Sequence, residues 1–135
     1  MPIADVNYLA VLVAGLLSMV IGFIWYSMSV FGKPWMKESK LTMKDIGNGP
    51  GPGYALVTVG SLLQAYVLAH FIDFTNATTL IEGATTGIWV WVGFVATAYA
   101  ATYVFSQRSL KLWAIDACYF LAVLIVQGAL LAVWI

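Results

Sequence analysis

The chain has 135 residues, 62% of them hydrophobic and 9% charged, and its six basic and six acidic side chains cancel to zero. That balance excludes a water-soluble globular domain, because a fold of this length has too little interior to hide so much apolar surface. It also excludes a nucleic-acid binder, since there is no excess of cations to meet a phosphate backbone.

Residues 6–32 carry no charged side chain, which exceeds the roughly 20 residues needed to span a bilayer. No cation precedes the run, so it reads as a retained helix rather than a signal sequence. The helix is predicted over 6–30. It sets Ala10, Ala14, Ser18 and Gly22 at four-residue intervals, a face that lets backbones approach closely in lipid. Self-association is expected through this stripe. The run ends in Trp25-Tyr26-Ser27-Met28-Ser29-Val30-Phe31-Gly32-Lys33-Pro34-Trp35. Trp25, Tyr26, Lys33 and Trp35 are expected to anchor that end among lipid headgroups, with Lys111 and Trp113 repeating the pattern later.

The loop 32–53 follows. Trp35 to Ile46 mixes apolar residues with lysines, which suits either a short helix lying on the membrane surface or a solvated loop. Gly47-Asn48-Gly49-Pro50-Gly51-Pro52-Gly53 is expected to be irregular and to lead into a second helix over 54–73. The third and fourth helices are predicted over 83–106 and 112–134. The whole chain then forms a single membrane domain, an all-α polytopic bundle of four transmembrane helices in the cell membrane.

Every lysine and arginine lies after the first or the third helix. By the positive-inside rule those loops are cytoplasmic, which puts both termini on the non-cytoplasmic side. Six cations against Glu38 and Asp45 give the inner loops +4, whereas Asp5, Asp73 and Glu82 give the outer side −3. Asn76-Ala77-Thr78 on the outer loop matches a glycosylation acceptor, which matters only in a eukaryotic source.

Polar groups inside the apolar runs are the candidates for chemistry. Asp116 lies about 6 Å inside the inner boundary by helical rise. Gln127 shares its face eleven residues later, and Gln64 sits mid-span in helix two. The three are expected either to make contacts between helices or to line a polar pathway. Asp116 has the further option of pairing with Arg108 or Lys111. Tyr66, His70 and Asp73 share one face at the outer end of helix two, as a relay or as a hydrated pair. His70, about 24 Å above the inner boundary, and Asp116 are too far apart for one catalytic dyad. Cys118 stands alone, so no metal site, cofactor or nucleophile set is expected.

Val6-Asn7-Tyr8, Trp25-Tyr26-Ser27, Phe31-Gly32-Lys33, Trp35-Met36, Gly93-Phe94-Val95-Ala96-Thr97 and Leu110 to Tyr119 together resemble the domain of unknown function 1761 family. The resemblance covers nearly the whole chain. It implies a small four-helix integral membrane protein and brings no catalytic residues with it. Met28 and Asp116 depart from the proline and asparagine that the resemblance leads one to expect. The functional expectation is a non-catalytic subunit or self-associating component of a membrane complex, with lipid and further copies or subunits as partners. The alternative is an oligomeric transporter of ions or small solutes, and a membrane enzyme is the least supported class.

Overall fold

Asn7 starts the first helix. Its side-chain oxygen accepts from the backbone N–H groups of Leu9 and Ala10, both at 3.1 Å, satisfying two donors that a helix start leaves without partners. In the computed structural model, which describes residues 5–41 and 51–134, α1 then runs Tyr8–Trp25. It stops short of the predicted limit at residue 30 because the chain folds into a tight turn. There the Phe31 N–H donates to the Trp25 carbonyl at 3.0 Å and the Gly32 N–H to the Ser27 carbonyl at 2.8 Å. Gly32 is required at that turn, since a Cβ would lie 2.6 Å from the Tyr26 carbonyl oxygen.

A short helix, α2, follows over Gly32–Ser39 and closes at Lys40 with φ 61°. Pro34 lies in its first turn, where a missing N–H costs no hydrogen bond. The rest of the surface-helix expectation, with Lys44 and Asp45, and the stretch Gly47 to Pro50 lie outside the described residues.

The second span, α3, runs Gly51–Phe74. It takes in Gly51 to Gly53, where an irregular lead was predicted, because proline is compatible with a helix's first turn. Beyond Phe74 the chain caps itself: the Asn76 and Ala77 N–H groups donate to the Asp73 and Ile72 carbonyls, with Asn76 at φ 56°, the left-handed ending of many helices.

The third span, Leu80–Phe105, begins earlier than the predicted 83. A capping box between Thr79 and Glu82 draws that acidic residue into the first turn. The span comprises α4 (Leu80–Val90), a π-helical stretch (Trp91–Ala96) and α5 (Thr97–Phe105). The fourth span, α6, runs Leu110–Val133, started by the Ser109 hydroxyl accepting from the Leu112 N–H at 3.0 Å. All four spans are long and apolar enough to cross a membrane, and the fold is all-α.

Helix α6 is the hub, touching every other span. Nine of its 24 residues are buried, against four of the 26 in the third span. Its tightest neighbour is α4: a Cβ on Gly83 would lie 2.1 Å from the Gly128 carbonyl oxygen, and one on Gly87 2.2 Å from that of Leu124.

The small stripe of α1 is used inside the protomer. Ala10 and Ala14 are fully buried and Ser18 nearly so. A Cβ on neighbouring Gly15 would meet the Leu62 side chain at 2.7 Å, and one on Gly22 the Tyr119 hydroxyl at 3.2 Å. Within the protomer, α3 and α6 pack against this stripe.

Candidate functional site: an aspartate clamp at the basic end

Asp116 sits in the second turn of α6, at the end of the bundle that carries Lys33, Arg108 and Lys111. Its carboxylate pairs with neither Arg108 nor Lys111. Instead Oδ1 accepts from the Tyr26 hydroxyl and Oδ2 from the Tyr103 hydroxyl, each at 2.5 Å. Tyr26 follows the last residue of α1 and Tyr103 lies in the last turns of α5, so one carboxylate ties three spans together. Bonds to a charged acceptor are short and strong. In an apolar surround they also remove the cost of leaving an anion without partners.

Backbone bonds reinforce the clamp. The Trp25 indole N–H donates to the Ile115 carbonyl at 3.0 Å and that of Trp91 to the Ala117 carbonyl at 2.7 Å, one on each side of Asp116. The Trp113 indole reaches the Ala96 carbonyl at the end of the π-helical stretch, at 3.2 Å, and the Tyr119 hydroxyl reaches the Ser18 carbonyl at 2.8 Å. Rings close the remaining space. Tyr26 packs against Tyr119 with centroids 5.4 Å apart and edge-on to Trp35 at 6.0 Å. The Arg108 guanidinium lies over the Tyr103 ring at 5.3 Å, within cation–π range.

Trp25, Tyr26 and Trp113 thus turn their polar atoms into the bundle. The polar atoms that an interface anchor would offer to headgroups are here bonded within the protein. Lys33 and Lys111 are exposed, and Trp35 is half-buried.

Gln127 is fully buried. Its amino group donates to the Ala14 carbonyl at 2.9 Å, while its Oε1 finds no partner among the described residues. Gln127→Leu removes one bond and one unpaired acceptor together. Its expected effect on stability is within about 1 kcal/mol, measured as the midpoint of unfolding in detergent. A loss several times larger means the acceptor has a partner after all. Gln64 is half-buried on α3, its amino nitrogen also without a partner. It lines a groove between α3 and α4, so Asp116, Gln127 and Gln64 face different neighbours and do not line one channel within the protomer.

Tyr66, His70 and Asp73 lie toward the end of α3 away from Lys33, Arg108 and Lys111. His70 Nδ1 lies 2.9 Å from the Tyr66 carbonyl oxygen of its own helix, and its ring stands edge-on between those of Tyr66 and Phe74. Asp73 instead shares with Asp5 the rim of a cavity of about 250 Å³ floored by Ile72 and Leu131. Among the described residues no group of His, Cys, Asp or Glu is gathered as a metal site, and Cys118 is a free, half-buried thiol.

A family model described as "Protein of unknown function (DUF1761)" matches residues 9–132. The chain belongs to this family. Trp25, Tyr26, Tyr103 and Asp116 all fall within the DUF1761 match, so the clamp is part of the family region. No curated protein and no solved structure matches the chain.

Sequence reasoning found Asp116 but missed Tyr103 altogether and assigned Tyr26 to the lipid interface. The signal was depth. Tyr26 ends the first span, Tyr103 lies near the end of the third and Asp116 near the start of the fourth, so all three share one level of the bundle.

Proposed function

We propose that this DUF1761 protein is a non-catalytic, multi-pass component of the cell membrane that works by packing against copies of itself or the subunits of a larger complex. Its basic loops lie in the cytoplasm and both termini outside. The reading rests on one observation: both oxygens of the intramembrane carboxylate are bonded by tyrosines of two other spans. A carboxylate held this way fastens helices. A transport site needs its polar groups to change partners as solute passes.

The competing reading, a transporter of ions or small solutes, draws on the partnerless Gln64 and Gln127 amide atoms. Two measurements separate the readings. In proteoliposomes, Asp116→Asn is expected to leave cation and proton leak at the level of the native chain; flux that the native chain supports and the variant abolishes overturns the component reading. For topology, the +4 inner loops predict that alkaline phosphatase fused at the C-terminus is active and a green fluorescent protein fusion is dark. The reverse pattern overturns the orientation.

A further inference from the structure

The basic end of the bundle has a partner chemistry of its own, independent of how copies or subunits pack. Lys33 and Lys37 on α2 and Lys40 at its cap follow one another at intervals of four and three residues, so they fall on one side of the helix. All three are exposed. Glu38 stands five, one and two residues from them, spacings that do not share a helix face, so it leaves the row positive. Another side of α2 is turned to the protein. Gly32 is buried and Trp35 and Met36 are half-buried, Trp35 stands edge-on to Tyr26, and the helix packs against α6.

Arg108 and Lys111 are exposed at the same end. The Arg108 guanidinium lies over the ring of Tyr103, whose hydroxyl donates to Asp116. On the other carboxylate oxygen is Tyr26, the residue that meets Trp35 of α2. The clamp therefore ties the lysine row and the Arg108 and Lys111 pair to one packed centre, and neither group trails on a free loop.

What lies beside the cations decides the class of partner. Phe105 is 89% exposed and Leu110 78%, and these two residues bracket Arg108. One ends the third span and the other starts the fourth, so the cations stand at the depth where apolar spans give way to headgroups. A soluble acidic protein would meet the charges and leave the two apolar side chains to other neighbours. A phospholipid meets both, with its acyl chains on Phe105 and Leu110 and its phosphate on Arg108 and Lys111.

We infer that the basic end binds the headgroup of an anionic phospholipid. The Arg108 fork matches phosphate oxygens, and the lysine row of α2 meets the net negative charge of the headgroup and its neighbours. A zwitterionic headgroup offers the same phosphate but also carries a cation, which this end repels. The opposite end carries Asp5, Asp73 and Glu82 and no lysine or arginine, so it has no such preference.

The test uses the full chain in detergent micelles, with phosphatidylglycerol and phosphatidylcholine of the same acyl chains added in equal amounts and bound lipid counted by native mass spectrometry. Phosphatidylglycerol is expected to be retained roughly tenfold over phosphatidylcholine, with the preference falling as salt rises. Lys33→Gln, Lys37→Gln and Lys40→Gln combined, and separately Arg108→Gln with Lys111→Gln, are each expected to lower the preference to about threefold or less. Melting temperatures are expected to stay near that of the native chain, because the altered side chains are exposed. Arg108→Lys keeps the charge and is expected to keep the preference, as is Asp73→Asn at the acidic end.

Equal retention of the two lipids overturns the inference, as does a preference that survives both combined variants. Displacement of phosphatidylglycerol by inorganic phosphate assigns the cations to a free anion, and displacement by a glutamate-rich peptide assigns them to an acidic protein; either result overturns the lipid assignment. A preference abolished by Arg108→Lys traces to the packing on Tyr103 rather than to charge and overturns it as well.

Discussion

Gly87→Val is expected to destabilise the protein by about 3 kcal/mol or more, detaching the third span from the fourth. The added Cβ alone would lie 2.2 Å from the Leu124 carbonyl oxygen and 2.7 Å from its carbon. Those are backbone atoms of a helix, which cannot swing aside as a side chain does. Gly83 and Gly128 face one another just as closely, at 2.1 and 2.2 Å in the two directions, so the crossing is backbone against backbone for two turns. Lipid supplies no hydrophobic drive for helices to associate, so this close fit is what binds them. The control is Gly93→Val on the same span, where nothing lies within 4 Å. Its expected effect is within about 0.5 kcal/mol. Unfolding in mixed micelles at increasing denaturing detergent measures both. Equal losses from the two substitutions would mean that valine harms the helix wherever it is placed and that the crossing has no special role.

The glycines of this crossing show which part of the architecture the sequence makes legible. Gly83 and Gly87 stand four apart in an apolar run, a pattern readable without coordinates, as is that of Gly128 and Ala132 in α6, but that the two pairs face one another is seen only in the fold. The four spans were legible for the same reason as Gly83 and Gly87: lack of charge over some twenty residues is a local property. Their ends were less so. Tyr26 to Phe31 reads as more helix until the Trp25 and Ser27 carbonyls are seen to be taken by Phe31 and Gly32, and Glu82 looks like a boundary until Thr79 pairs with it. The π-helical stretch at Trp91–Ala96 has no sequence signal of its own. Two of its residues bond to α6, through the Trp91 indole and the Ala96 carbonyl, a tertiary cause. The helix-one stripe was visible as a packing surface, but a pattern of small residues does not say whether its partner belongs to the same chain.

Asp116→Leu is expected to cost about 3 kcal/mol, with both Tyr26 and Tyr103 hydroxyls left without their acceptor. Leucine fills similar space, so the loss reflects hydrogen bonding more than a cavity. Asp116→Asn is expected to cost only about 1 kcal/mol: its Oδ1 still accepts from one tyrosine, and its Nδ2 can donate to the oxygen of the other, since a phenol both donates and accepts. The order Leu far worse than Asn therefore tests the two-armed geometry, while equal losses assign the effect to the charge. Tyr26→Phe and Tyr103→Phe extend the test. Each removes one arm, and because both arms end on one carboxylate, the double variant is expected to differ from the sum of the singles by at least about 0.5 kcal/mol. Strict additivity would show two independent bonds rather than a clamp. Because α1 and α5 are held at their basic ends by this carboxylate, breaking the clamp should also loosen the aromatic cluster of Tyr26, Trp35 and Tyr119.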